Sequence, residues 1–225
     1  MATGINKPLE ITWLGHSAVK IAGTRTVFID PFFTGNPKAA LAAGAVKTAD
    51  IIVVTHHHGD HLGDAFAIAK KTGAVIVAIH EIAVEAQERG LEAEGMNIGG
   101  TIETKGVIIH MVPALHSAEK GCAAGVVVEM DGKSIYHAGD SGLTTDMKII
   151  GEFFHPDLSF IPIGDRYTMG PASAAKAVEF VQTKKVVPIH YGTFPLVAGS
   201  PEEFKKKVGS LAEVIILKPG ETFRL

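Results

Sequence analysis

A chain of 225 residues with 46% hydrophobic and 20% charged side chains is globular, long enough for one large folding unit or two small ones, and not disordered. A net charge of −3 gives no electrostatic footprint for nucleic acid, so Lys205, Lys206 and Lys207 read as a solvated helix face, and the one cysteine, Cys122, excludes an internal disulfide framework. The start, "MATGINKPLEITW", has no apolar signal core and no apolar run approaches the ~18 residues of a membrane span, so a soluble, cytoplasmic chain is expected.

In chain order, "LEITWLGHSAVKIAGTRTVFID" is β-rich, three short runs broken at Gly15 and at the "AGTR" turn. "ADIIVVT" (49–55) is a continuous apolar run of strand length, as in a strand buried on both faces. A short helix (63–73) with a glycine stop, a strand "AVIVAI" and an amphipathic helix (80–90) follow. Four strands come next, "TIET", "VIIHMV", "GVVVEM" and "SIYHAGD", the last two joined at Asp131-Gly132, a strong hairpin signal. The remainder alternates: a helix near 144–154, strand "LSFIPI", helix "ASAAKAVEFVQ", strand "VVPIH", a helix over 201–209, strand "EVIIL" and a closing "TFRL". No linker or low-complexity stretch divides the chain. Both halves run from hairpins into alternating helices and strands. The expected fold is therefore α/β, a four-layer αββα sandwich formed by one domain spanning 1–225.

The stretch "VTHHHGDHLGD" carries the chemistry. On an extended segment His56 and His58 point to one side and His57 to the other; Asp60 keeps the parity of His56, and His61 follows where the chain turns into the helix. Two imidazoles, a carboxylate and a third imidazole then converge at the carboxyl end of a buried strand, where α/β proteins place their sites. The competing reading is a polar surface run in which Asp60 caps the next helix. Placing this many titratable groups directly after a buried strand costs free energy unless something binds them. Three distant residues share that setting: His116 in "VPALHS", Asp140 in "HAGDSG" and His190 in "VVPIHYGT" each follow a strand and precede turn residues. Together they make seven donors, enough for two metal ions of the kind that imidazole and carboxylate accept: zinc, manganese or iron.

"HHHGDH" matches the His-x-His-x-Asp-His signature of the metallo-β-lactamase superfamily, and the later His, Asp and His follow its order. "WLGHSA", "FIDPFFTGNP", "HAGDSG" and "PIGDRYTMGP" resemble a narrower branch of prokaryotic metal-dependent hydrolases, similar to L-ascorbate-6-phosphate lactonase and N-acyl phosphatidylethanolamine phospholipase D. The resemblance spans nearly the whole chain. It implies two divalent ions, zinc before manganese or iron, with His56, His58 and His116 on the first, Asp60, His61 and His190 on the second, and Asp140 bridging. It further implies a hydroxide between the ions that attacks an ester, a lactone or a phosphodiester. His57 is expected outside the ligand set.

Around these, His16 is expected as a hydrogen-bond donor or acid near the scissile group, its other reading being a structural histidine bonded to backbone. Asp30 either orients a ligand histidine or makes a turn with Pro31. Asp165 and Arg166, in "GDRY", are candidates for supporting the metals or meeting substrate, Arg166 as an anion clamp, and His137 is a candidate site-lining residue. His80, His110, His155 and Cys122 receive no role. Two further classes compete: a mononuclear-iron oxidoreductase like the persulfide dioxygenases, which would leave His61 and His190 unused, and a non-catalytic metal-binding protein on the same fold. The expected partner is a small-molecule substrate, with no nucleic acid and no membrane span; the sequence leaves self-association open.

Overall fold

In the computed structural model, which describes residues 8–225, the apolar runs pair into two seven-stranded sheets. The first half supplies β1 (Glu10–Gly15), β2 (Ala18–Ala22), β3 (Thr26–Ile29), β4 (Ile51–Val54), β5 (Val75–Ile79) and β6 (Ala93–Met96). β7 (Thr101–Thr104), β8 (Val107–Pro113), β9 (Ala124–Met130), β10 (Lys133–His137), β11 (Leu158–Pro162), β12 (Lys185–Ile189) and β13 (Glu213–Val214) form the second sheet. The last strand, β14 (Thr222–Arg224), crosses back to pair antiparallel with β1.

The first sheet has the order β14-β1-β2-β3-β4-β5-β6 and the second β13-β12-β11-β10-β9-β8-β7. Each opens as antiparallel hairpins and turns parallel, at β3–β4 in one, across a connection with a single 3-10 turn at Ala43–Ala45, and at β10–β11 in the other, across a helix. The β9–β10 connection is the two-residue hairpin that Asp131-Gly132 encodes: both adopt positive φ, 52° and 75°, and Met130 faces Lys133 across it.

The helices are α1 (Gly59–Leu62), α2 (Ala65–Thr72), α3 (His80–Glu88), α4 (Asp146–Phe154), α5 (Pro171–Val181) and α6 (Pro201–Val208). The inner faces of the two sheets share one core, in which Ile11 and Val53 of the first meet Ile109, Val126 and Phe160 of the second; Ile68 of α2 and Ile82 of α3 join it from outside the first sheet. A second apolar layer lies between the other sheet and its helices, with Tyr136 and Ile161 packed on Met147, Val178 and Phe204. The architecture is the four-layer αββα sandwich.

Three local expectations differ. The helix expected over 63–73 is α2, but the turn α1 before it was not anticipated; Gly63 (φ 44°) separates the two, and a Cβ there would lie 2.7 Å from the Phe32 Cα. β6 was not anticipated, since "AEGM" is polar and half-exposed at the sheet edge and gains its regularity from parallel pairing with β5. The run 213–217 contributes only two residues to β13. No helix of the described residues is long and apolar enough to cross a membrane.

Candidate metal centre

The centre forms at one end of the sandwich, on loops that leave the strands. β1 leads into His16, β3 into Asp30 and β4 into the 56–61 loop; from the other sheet come His116 beyond β8, Asp140 beyond β10 and His190 directly after β12. Asp30 is the hinge of the first set. Its Oδ1 accepts the Thr55 backbone N–H at 2.8 Å and its Oδ2 the Thr55 hydroxyl at 2.7 Å, locking the ends of β3 and β4 together.

That geometry fixes two tautomers. The Thr55 hydroxyl proton is given to Asp30, so Thr55 Oγ1 accepts from His56 Nδ1 at 2.9 Å and leaves His56 Nε2 with a free lone pair. Asp30 Oδ2 likewise accepts from His61 Nδ1 at 2.7 Å, and His61 Nε2 points at Asp140 Oδ1, 3.3 Å away. A metal-ligating histidine is ordinarily oriented in this way, by a partner on its other nitrogen. Asp30 thus bonds the candidate ligand His61 through its carboxylate, and its carbonyl also accepts the Phe32 N–H at 2.8 Å in a turn across Pro31.

The loop reaches the centre differently from the alternation expected. His56, His57 and His58 do alternate: His57 turns out to Glu85 and Glu119, 3.3 Å from each, while His56 Nε2 and His58 Nδ1 come within 3.0 Å of each other. The chain then turns helical at Gly59, so Asp60 and His61 arrive on the single turn of α1 and not by extended parity.

Three overlapping donor groups result, one of them His56, His61 and Asp140. Nitrogens of His56, His58 and His116 lie within 4.8 Å of one another, and so do donor atoms of Asp60, His61, His190 and His16. Asp140 touches both: its Oδ2 is 3.6 Å from His116 Nε2 and 3.0 Å from His190 Nε2, and its Oδ1 faces His61. Buried in this cluster, His61 Nε2 and Asp140 Oδ1 have no hydrogen-bond partner, although unpaired buried polar atoms are costly. Among the described residues, no lysine or arginine lines the cavity above it. A donor set of imidazoles and carboxylates with orphaned buried atoms fits divalent metal ions.

The electrostatics agree with that fit. Burial pushes His56 down to about 2, and burial likewise lowers His116, so both imidazoles are neutral near pH 7, the form that could hold a metal. Burial opposes charge on Asp140, but His61 and His190 outweigh it and hold the carboxyl well below its ordinary range. His61 is the exception among the imidazoles: burial disfavours its charged form, yet Asp140 and Asp30 together raise it well above the usual histidine value.

His16 is fully buried and lines the cavity. Its Nε2 lies 3.1 Å from Asp60 Oδ2 and its Nδ1 2.9 Å from the Thr193 hydroxyl. Burial, only partly offset by the Asp60 hydrogen bond, pushes it down to about 4, so at neutral pH it is an uncharged donor and not an imidazolium acid. Two expectations are corrected. Asp165 and Arg166 do not line the metal cavity: positive φ at both (63° and 39°) turns them toward a separate depression bounded by Pro171 and Glu203, leaving Tyr167 as the residue of that turn that reaches the site. His137 is buried below the site and does not line it; its Nε2 donates to the Ser17 carbonyl at 3.0 Å and its Nδ1 accepts the Gly139 N–H at 3.1 Å, which fixes the loop carrying Asp140.

Sequence reasoning missed Thr55, Thr193, Glu119 and the apolar residues Phe194 and Leu196 on the cavity wall. Thr55 and Thr193 each stand within three residues of a candidate ligand, and that adjacency was the available signal. His80, His110, His155 and Cys122 do not line the cavity, which encloses about 530 Å³.

A family profile described as "Beta-lactamase superfamily domain" matches residues 25–191. The chain is 52% identical to a UPF0173 metal-dependent hydrolase of Methanopyrus kandleri over 230 residues, covering 96% of this chain and 99% of that one. It is 51% identical to a UPF0173 metal-dependent hydrolase of Thermococcus onnurineus, covering 96% of this chain and all of that one. Among solved structures it is similar to Igni18, a metallo hydrolase from the hyperthermophilic archaeon Ignicoccus hospitalis, with 39% identity, a TM-score of 0.91 and coverage of 97% and 98%. The chain belongs to the beta-lactamase superfamily domain family and, within it, to the UPF0173 metal-dependent hydrolases.

Proposed function

We propose that the protein hydrolyses a small-molecule ester, lactone or phosphodiester with two divalent ions, zinc before manganese or iron, held by His56, His58 and His116 on one side and Asp60, His61 and His190 on the other. The carboxylate of Asp140, in reach of both groups, is the observation that carries the reading. When bound, two such ions supply ionised water near neutral pH and Lewis acidity at the bond to be broken. The chain's own residues do the rest. Asp30 and Thr55 hold His61 and His56 by their Nδ1 protons so that Nε2 faces inward. His16 donates to Asp60 Oδ2 and keeps that carboxylate aimed at the centre. A mononuclear-iron oxidoreductase would leave His61 and His190 without a task, whereas both stand with Asp60 in one donor group.

Metal analysis of protein reconstituted with excess zinc or manganese should approach two equivalents per chain. Asp140→Ala should lose bound metal and nearly all hydrolysis, since it removes the carboxylate set between two dications. A ceiling of one equivalent under every condition would overturn the two-metal reading, and an Asp140→Ala variant with both metals and full turnover would overturn the bridging role.

A further inference from the structure

The walls of the metal cavity differ in chemistry from its floor. Above the imidazoles and carboxylates stand Tyr167, Phe194, Leu196 and Val197, with Ser117 and Glu119 opposite as the polar members. Tyr167 is 52% exposed, Leu196 50% and Phe194 38%, so three large apolar side chains present open surface around one mouth. Apolar residues scattered singly on a surface are ordinary; grouped at the rim of a cavity they bind something.

This wall is also held in place. Thr193 bonds His16 on the floor, Val197 N–H donates to the Phe194 carbonyl at 3.0 Å, and the Phe194 ring sits 5.8 Å from the His16 ring. The turn carrying Phe194, Leu196 and Val197 is thereby tied to the reacting end of the cavity, with little freedom to lose on binding.

The charge of the wall excludes as much as its apolarity invites. Of the lining side chains beyond the candidate ligands and His16, the one carrying a formal charge is Glu119, and no lysine or arginine is present among the described lining residues. Arg166, the nearest cation in sequence, lies with its guanidinium over the Tyr167 ring, 5.6 Å from the centroid, and lines the neighbouring depression. An anionic substrate arm would meet a carboxylate and three apolar groups, without the bidentate cation that phosphate sites use.

Building on the hydrolase reading, we infer that the substrate is an uncharged carboxylic ester, open or cyclic, whose acyl arm is apolar and lies along Tyr167, Phe194 and Leu196. In its hydrolysis the oxygen of water bonds to the acyl carbon, the acyl C–O bond breaks, and the departing oxygen leaves as the alcohol with a proton from that water. No oxidant or second substrate is needed. Phosphodiesters are disfavoured by the wall, whatever the floor would do with them.

The test compares 4-nitrophenyl acetate, butanoate and hexanoate with bis(4-nitrophenyl) phosphate, on protein reconstituted with zinc or manganese. With the leaving group held constant, kcat/KM should rise roughly threefold for each added pair of methylenes, below the ~15-fold that complete burial would give because the rim is half-open. The anionic diester should be slower than hexanoate. In the Phe194→Ser/Leu196→Ser double variant the rise with chain length should flatten. A flat series in the parent protein, or a preference for the phosphodiester, overturns the inference. A second readout is free of catalysis: calorimetric binding of methyl acetate and methyl hexanoate to metal-free protein should favour hexanoate, and the double variant should abolish that preference. If no compound is hydrolysed in a metal-dependent way, the hydrolase reading fails, and the calorimetry still decides this one: equal binding of the two esters sinks it, a hexanoate preference lost in the variant supports it.

Discussion

His16, Asp30 and His190 all take positive φ, 57°, 47° and 56°, a conformation that costs a non-glycine residue about 1–3 kcal/mol and recurs at functional sites. Each sits where a strand ends, and the left-handed step turns the side chain from the sheet into the centre. For His16 the result is a buried donor to Asp60, a positioning role that acts through a candidate ligand. His16→Ala should therefore weaken uptake of the second metal equivalent by about 10–100-fold, the usual cost of losing a partner that orients a ligand. His16→Gln keeps a side-chain donor and should recover much of that affinity. Metal titration, melting of the metal-free protein and turnover on the same preparations separate the roles: a lower melting temperature with both metal affinities intact would make His16 structural. The residues legible in the sequence were those whose chemical identity is itself the signal, a run of imidazoles with a carboxylate. Arg166 was not legible in this sense, because its direction is set by two positive φ angles that no composition announces. Thr193 acts on a residue 177 positions away, a pairing visible only once β1 and β12 share one end of the fold.

At the scale of elements, the 56–61 loop works because three devices meet in it. β4 is buried along its whole length and fixes where the loop begins; Asp30 ties that end to β3; and α1 supplies one helical turn that swings Asp60 and His61 inward. Gly63 then stops α1 against the backbone of Phe32 and Pro31, and Asp64 beyond it accepts the Phe33 and Thr34 N–H groups at 2.8 Å each. The loop of β4 and the loop of β3 are thus clamped twice, at Asp30 and at Asp64. Gly63→Ala would place a methyl 2.8 Å from the Pro31 carbonyl oxygen in a conformation that alanine avoids. The expected cost is about 1–3 kcal/mol of stability, read as a lower melting temperature. Weaker metal uptake should accompany it, because the strain falls between the two clamps; destabilisation with unchanged metal affinity would show that the loop holds its geometry without that contact. The sequence carried the strands with strong apolar runs and the Asp131-Gly132 hairpin. It did not carry β6 or the brevity of β13, since edge strands draw their order from a neighbour, here β5 and β12, more than from their own pattern.

Across the whole molecule, each half repeats one plan, antiparallel hairpins followed by parallel strands with helices between, and that plan was readable from the order of elements along the chain. How the halves meet was not, because the return of β14 to β1 joins residues more than 200 positions apart. The meeting is what makes the centre: the first sheet brings His16, Asp30, His56, His58, Asp60 and His61, the second His116, Asp140 and His190. Neither set is a site alone. A shared inner core already joins the sheets without metal, and from it we propose that residues 1–225 behave as one domain, which predicts a single cooperative unfolding transition for the metal-free protein. Two separated transitions, by calorimetry or by denaturant with two probes, would divide the chain instead. Ions held from both sheets, as proposed, would bind the folded state and not the unfolded one, so each would add about 2.7 kcal/mol when present at a hundredfold excess over its dissociation constant. For a chain of this size that is a rise of about 5–10 °C in melting temperature for each ion, reversed by a chelator. A variant such as His190→Ala, which removes a donor from the second sheet alone, should forfeit most of the increment due to the second ion and keep the single transition. Retention of the full metal-induced shift in that variant would mean that His190 is not a ligand of the second ion.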